Sequence, residues 1–129
     1  MADLVDVSVD ECWELLGTMQ FARLAWNSGS GPVLLPVNYV LHDRTVWMRT
    51  TAYSTIAEQV DESQIAVEVD DVDRETHVGW SVLLRGRAEV LYHEEQVPEE
   101  VQSLHTWPSG ARPLWVRLRP DIVTGRRLV

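Results

Sequence analysis

Residues 79–92, GWSVLLRGRAEVLY, alternate between two kinds of side chain along their whole length. Successive residues of a strand point to opposite faces, so one face would be apolar or small and the other mostly polar. The first face carries Val82, Leu84, Gly86, Ala88 and Val90, and the second carries Ser81, Leu83, Arg85, Arg87 and Glu89. The stretch therefore predicts a long strand lying on a core, with Gly86 as the candidate for a bend or bulge.

Shorter apolar runs on both sides of this stretch predict further strands, because they are rich in β-branched residues and bounded by turn signals. The runs are residues 21–27, 33–41, 45–50, 64–71, 114–120 and 121–128. The first three are separated only by SGSGP and HDR, so they predict antiparallel neighbours. Pro36 indicates that its strand is an edge or carries a bulge, since proline cannot donate to the ladder.

Helices are predicted to be few and short. Ser8 and Glu11 form a capping box that opens an amphipathic helix ending at Gly17. Thr55 and Glu58 form a second capping box, which opens a helix over residues 56–60. The acidic stretch 93–104 predicts an exposed helix with Pro98 near a break or a start.

Six or seven strands with short peripheral helices predict a mainly β (α+β) fold. Closing such a sheet into a barrel would remove its exposed edges, so a small β-barrel is the expected architecture. A chain of 129 residues fits one domain, and it shows no repeat, linker or low-complexity segment. We therefore expect a single domain over residues 1–129.

The charge balance argues against several classes of partner. The formal net charge is −9 and all eleven Lys/Arg residues are arginine, so nucleic acid or an anionic membrane is not expected as a partner. No apolar run is long enough to span a membrane, and the acidic N-terminus is unlike a signal peptide, so we expect a soluble cytoplasmic protein. Cys12 is the single cysteine and the histidines are scattered, so no metal site is predicted.

Residues 49–56 combine a strand end, a helix start and several hydrogen-bond donors. The strand 45–50 ends beside the predicted helix, whose first N–H groups would face the corner between them. The side chains that could converge there on a phosphate are Arg49, Thr50, Thr51, Ser54 and Thr55. A purely structural role is the alternative, in which Ser54 or Thr55 caps the helix and Arg49 pairs with a carboxylate.

The chain resembles the FMN-binding split-barrel proteins of the pyridoxamine 5′-phosphate oxidase-like family, in particular a small bacterial branch that includes nitroimidazole-resistance-type reductases. The resemblance extends over nearly the whole chain. It rests on FARLAW, PVNYVLHDRTVWMRT, IAVEVDDVD, GWSVLLRGRAEV and WPSGARPLWVRLRPDIVTGRRL, in that order and spacing. It implies a split β-barrel of six to seven antiparallel strands, assembled as a homodimer with cofactor sites at the interface.

The resemblance also implies roles for particular residues. The corner of Arg49, Thr50, Thr51, Ser54 and Thr55 would hold the FMN phosphate, and Pro36, Val37 and Asn38 would lie along the isoalloxazine ring. Trp80 and Ser81 match a segment near the cofactor, and Trp107 and Arg112 match a loop that reaches toward the partner's flavin. Structural alternatives stay open: an outward-facing Asn38, a Trp80 that fills the barrel mouth, and a turn anchored by Trp107.

Thr55 departs from the family, in which a basic residue, often lysine, is common at this position. Arg49, Arg87 or an arginine from a second subunit could compensate, or the pocket could take the deazaflavin F420 or haem instead of FMN.

No nucleophile elbow or acid–base motif is present, which suits chemistry carried by a flavin. The sequence thus predicts an FMN-dependent oxidoreductase acting on a small organic substrate. The alternatives are a non-enzymatic flavin, F420 or haem binding protein and a barrel that has lost its cofactor.

Overall fold

A computed structural model describes residues 3–129. In chain order its elements are β1 (Leu4–Val7), α1 (Val9–Leu16), β2 (Phe21–Asn27), β3 (Pro32–Asn38), β4 (Val40–His42), β5 (Thr45–Thr50), α2 (Thr55–Val60), β6 (Gln64–Val72), β7 (Gly79–Leu91), the 3-10 helices Glu94–Gln96 and Glu99–Val101, β8 (Leu114–Leu118) and β9 (Ile122–Leu128).

The strands form one curled antiparallel sheet, in which seven follow the order β3-β2-β6-β7-β8-β5-β4. Strand β7 pairs with β6 along one edge, and along its other edge it pairs first with β9, up to Arg85, and then with β8, from Ala88. Gly86 lies at this change of partner, where a Cβ atom would be 3.0 Å from Pro120 Cα. The predicted mainly β split barrel with few helices is confirmed.

Two strand boundaries differ from those expected. Strand β1 was not predicted; it is only four residues long, and it is formed by pairing with β9 at the other end of the chain. The single strand expected over 33–41 is two strands, β3 and β4, which stand at opposite ends of the seven-strand order. The chain leaves β3 at Tyr39, whose N–H donates to Gln20 O at 3.2 Å and whose hydroxyl donates to Leu16 O at 2.5 Å.

The helix predicted over 93–104 is also wrong, because this segment forms two separate 3-10 turns. Pro98 precedes the second turn with an extended ψ of 137°. The segment is not simply solvated either, since Val97 and Val101 are buried against Trp47 and Trp115. Apolar contact with the outside of the sheet therefore decides its path more than helix propensity does.

The two capping predictions have different outcomes. Ser8 caps α1 as expected, with its Oγ accepting from the N–H of Glu11 at 3.2 Å. At α2 the cap is Ser54 instead of Thr55, and Ser54 Oγ accepts from Ala57 N–H at 3.0 Å. Thr55 is the first helical residue and is exposed.

The core lies inside the curled sheet and is covered at one side by α1. Its largest fully buried side chains are Leu16, Leu24, Met48, Leu84, Leu118, Val46, Val60, Val67, Val69, Val82 and Val116. Helix α1 approaches β9 closely because residue 125 is glycine, where a Cβ atom would lie 2.5 Å from Cys12 Sγ. Among residues 3–129, no helix has the length and apolar character needed to cross a membrane.

A group of charged side chains lies on the outer face of the sheet, across β2 and β6. Arg23 Nη1 contacts Glu68 Oε1 at 3.2 Å and Asp70 Oδ2 at 2.9 Å, so two carboxylates share one guanidinium. Partial burial, followed by the neighbouring Asp70, raises the pKa of Glu68 from 4.5 to about 7, although Arg23 opposes the change.

This raised pKa predicts that stability falls as the pH increases. The folded protein keeps a proton on Glu68 that the unfolded chain releases, so the contribution is fully present below pH 4.5 and is lost as the pH rises through about 7. Glu68→Gln should flatten the dependence of the free energy of unfolding on pH in this window, as measured by urea denaturation at several pH values. An unchanged dependence in the variant would show that Glu68 is not the titrating group.

Candidate cofactor cleft

A cleft of about 630 Å³ opens between β3, the corner that joins β5 to α2, and the segment 104–113, which we call the cleft loop. Its lining residues are Phe21, Leu35, Pro36, Val37, Asn38, Arg49, Thr50, Thr51, Ser54, Ile56, Thr106, Trp107, Pro108 and Arg112. Strand β3 is at the end of the sheet order, so the cleft occupies the seam that the barrel leaves open. A volume of this size is typical of small-molecule and cofactor sites.

Most of the residues predicted from the sequence meet in this cleft. Those that line it are Pro36, Val37, Asn38, Arg49, Thr50, Thr51, Ser54, Trp107 and Arg112. The sequence did not single out Phe21, Leu35, Ile56, Thr106 or Pro108, which also line it. Four of these five are apolar residues of kinds common in any core, so only the folded arrangement identifies them as a wall.

Three of the predicted residues, Thr55, Trp80 and Ser81, do not line the cleft. Thr55 begins α2 but does not line the cleft. Trp80 and Ser81 lie on β7, opposite Asp71 and Asp70 of β6, at the hairpin between these strands. Arg87, a possible replacement for the missing basic residue, is paired with Glu62 through its Nε at 3.0 Å. The assignment of Trp80, Ser81 and Thr55 to a ligand stays a prediction.

The cleft lining carries positive charge in a strongly acidic protein. Two arginines, Arg49 and Arg112, line it, whereas none of its described lining residues is Asp or Glu. The whole chain has twenty acidic residues and a net charge of −9, so a random patch of surface of this size would be expected to include carboxylates. The lining therefore favours an anionic group over a cationic or metal-bound one.

Hydroxyl groups crowd the corner at the start of α2. Thr50 Oγ1 and Ser54 Oγ are 2.8 Å apart, and Ser54 Oγ also accepts from Ala57 N–H. Thr50 is buried, whereas Thr51 is exposed. The corner turns at Tyr53, which has a positive φ of 58° and is 95% exposed. Ser54 thus serves as a helix cap, whereas Thr51 lines the cleft without taking part in this cap.

Arg49 is turned into the protein and anchors the cleft loop. Its Nε donates to Arg112 O at 2.9 Å, its Nη1 donates to Leu104 O at 3.4 Å, and its guanidinium stacks 4.5 Å from the ring centre of Trp115. These bonds use two of the five N–H groups of the side chain. Arg49 therefore holds the loop and still presents charge and donors to the cleft.

Arg112 stabilises the same loop from within. Its Nη1 lies 3.1 Å from the carbonyl oxygens of Pro108 and Ser109 and 3.3 Å from that of Gly110. Gly110 has a φ of +108°, a conformation that glycine adopts without strain. The guanidinium thus fixes a tight turn at the rim of the cleft.

Asn38 joins the cleft loop to the barrel. The residue is buried, its Nδ2 donates to Gln20 O at 3.2 Å, and its Oδ1 accepts from Trp107 N–H at 2.8 Å. The indole of Trp107 then lies on Phe21, with ring centres 5.4 Å apart and planes at 56°. The polar groups of Asn38 are therefore directed largely at the protein, while its side chain contributes to the cleft wall.

Titratable groups next to the cleft have structural roles. Burial raises the pKa of the Tyr39 hydroxyl well above its ordinary value, and this hydroxyl donates to Leu16 O. Among residues 3–129, no group of three or more His, Cys, Asp or Glu side chains is arranged to hold a metal ion.

Comparison with known proteins identifies the family. The family model described as Pyridoxamine 5'-phosphate oxidase matches residues 8–127. Uncharacterized protein Rv0080 of Mycobacterium tuberculosis is 32% identical over 132 residues, covering 98% of this chain and 87% of that protein.

Solved structures agree with this result. The FAD binding protein from Mycobacterium smegmatis superposes with a TM-score of 0.76 at 29% identity, covering 97% of this chain and 98% of that one. A protein of Bacteroides thetaiotaomicron assigned to 5-nitroimidazole antibiotic resistance has a TM-score of 0.77, covering 99% and 89% of the two chains; at 11% identity this likeness concerns the fold alone. The chain belongs to the pyridoxamine 5′-phosphate oxidase family.

Proposed function

We propose that the protein binds FMN in the cleft and uses it for a two-electron redox reaction on a small, planar organic substrate. The observation that carries the proposal is the composition of the cleft: apolar walls and two arginines, with no acidic residue among the described lining. A phosphorylated aromatic cofactor needs this combination, since its ring requires apolar surface and its phosphate requires cationic donors.

The chain has suitable groups for both parts of FMN. The phosphate would be held by the free N–H groups of Arg49 and by the hydroxyl of Thr51, with Arg112 nearby at the rim. The ring would lie among Leu35, Val37, Ile56 and Trp107. Arg49 is also fixed by the loop carbonyls, so less side-chain entropy is lost when it binds a phosphate.

Two observations favour a flavin over the other cofactors considered. First, the FAD binding protein from Mycobacterium smegmatis is 29% identical to this chain. Haem would need an axial ligand, and none of the described residues that line the cleft is His, Cys, Met or Tyr. F420 carries a phosphate too, and a titration in which F420 competes with FMN distinguishes these two cofactors.

A flavin supplies hydride and electron transfer, while the protein supplies orientation and exclusion of water. The cleft loop would cover one side of the ring, because Trp107 and Pro108 line the cleft. The competing function is a non-enzymatic flavin, F420 or haem binding protein with the same cleft. The two functions share the binding site and differ only in whether the bound cofactor turns over.

The absorption spectrum and the reduction rate test these functions. We expect protein purified without added cofactor, or after incubation with FMN and gel filtration, to show flavin bands in the blue and near ultraviolet. Anaerobic mixing with NADPH or reduced F420 should then bleach the flavin at a catalytic rate. A Soret band would identify haem, and a bound flavin that no donor reduces would favour the binding protein.

Arg49→Ala should weaken FMN binding at least about tenfold, through loss of a charge-assisted phosphate contact. Binding of riboflavin, which has no phosphate, should weaken less, and fluorescence titration with both ligands measures the difference. Arg119→Ala is the matched control, because it removes the same charge from an exposed position between β8 and β9, outside the cleft lining. Equal losses for FMN and riboflavin would mean that Arg49 acts only by holding the loop.

A homodimer with the cofactor sites at its interface is the second part of the proposal. The hairpin between β6 and β7 exposes Val72 and Val78, at 52% and 50%, beside the half-buried Trp80. Such a cluster of apolar side chains is typical of a surface that a partner covers. A second copy could place its hairpin, with Trp80 and Ser81, near the cleft of the first.

Sedimentation equilibrium should give twice the mass of the chain, which is 14.7 kDa. Trp80→Ser combined with Val78→Ser should shift the equilibrium toward the monomer and weaken FMN binding. A monomer that binds FMN with unchanged affinity would contradict an interfacial site.

A further inference from the structure

Asn38 makes a buried bridge between two segments that are distant in sequence. Its amide nitrogen bonds the carbonyl oxygen of Gln20, 18 residues away, and its amide oxygen bonds the N–H of Trp107, 69 residues away. Only 7% of the residue is exposed. A buried side chain that bonds two backbone groups on different elements is more suited to fixing their positions than to reading a mobile ligand.

The chemistry of the bridge requires a side chain of this length that donates at one end and accepts at the other. Asparagine has both functions. An ionised aspartate accepts hydrogen bonds but cannot donate them, and leucine has a similar shape but neither function. Leucine at position 38 would remove the acceptor of the Trp107 N–H, whereas the Gln20 carbonyl would keep its bond from the Tyr39 N–H. The three side chains therefore separate the effects of shape, acceptor and donor.

Trp107 depends on this bridge for its place in the cleft. The residue is 60% exposed and its ring packs on Phe21, so its own packing holds it weakly. Arg49 secures the loop at Leu104 and Arg112, on either side of Trp107 in the sequence. The bond from Asn38 reaches the backbone of Trp107 itself.

We propose that Asn38 is a positioning residue that holds the Trp107 indole as one wall of the cleft, against which a planar ring of the ligand lies. The identity of that ring rests on the proposed function, whereas the link between Asn38 and Trp107 does not. The aromatic wall selects for flat, polarisable ligands, since stacking on an indole is lost when a ring is puckered or saturated.

Hydrogen exchange tests the link without any ligand. In Asn38→Leu the Trp107 amide should exchange at least about tenfold faster than in the wild type, whereas in Asn38→Asp it should remain protected, because the acceptor is kept. The amide of Val90, which donates to Asp61 Oδ1 elsewhere in the barrel, serves as the internal control for an intact fold. Unchanged exchange at Trp107 in Asn38→Leu, with Val90 protected, would overturn the proposal.

A double-mutant cycle tests the ring. Trp107→Leu and Asn38→Leu should each weaken FMN binding by about tenfold and reduce the visible circular dichroism of the bound flavin. The double variant should be no weaker than Trp107→Leu alone, because Asn38 acts through Trp107. Losses that multiply would overturn the proposal, since Asn38 would then contact the ligand independently.

The two experiments separate this inference from the proposed function. If the wild type does not bind FMN, the proposed function fails, and amide exchange still decides whether Asn38 positions Trp107. If Asn38→Leu fails to fold, Asn38→Asp and Trp107→Leu are used instead. Faster hydrogen exchange at the Trp107 amide in Asn38→Asp would then overturn the role of the residue 38 side chain as the acceptor for that amide.

Discussion

The ladder that β7 makes with its neighbours is the interaction on which the rest of the structure depends. This strand is the middle one of the seven-strand order and bonds β6 along one edge and both β9 and β8 along the other. The two halves of the barrel therefore share one strand and curve away from it. The seam between their far ends, where β3 approaches the corner after β5, is left open as the cleft.

The electrostatics of the molecule follow from how this seam is lined. Acidic side chains cover much of the surface and several are paired with arginines, as in Arg23 with Glu68 and Arg117 with Glu89. Arg117 lowers the pKa of Glu89, so this pair keeps its charges down to more acidic conditions. In the cleft the carbonyl oxygens of the loop replace carboxylates as partners of Arg49 and Arg112, so the positive charge there is not neutralised.

Local patterns in the sequence predicted much of this structure. The alternation over 79–92 predicts β7, and the corner residues Arg49 and Thr51 line the cleft, while their contact with a ligand stays a prediction. The sequence could not decide whether Ser54 or Thr55 caps α2, since both carry a hydroxyl and the two possible starts of the helix differ by one residue. The two 3-10 turns, the pairing of β1 and the buried place of Asn38 depend on contacts with distant segments, which no local pattern records.

The prolines of β3 have a consequence for how the molecule behaves in a crowded solution. Pro32 and Pro36 lie four residues apart on this edge strand, and Pro36 also borders the cleft. An unprotected strand edge would template pairing with an extended segment of another chain and lead to polymerisation. Because proline has no N–H to offer, this edge resists strand addition, and the opening in the barrel can stay accessible to small molecules without seeding aggregates.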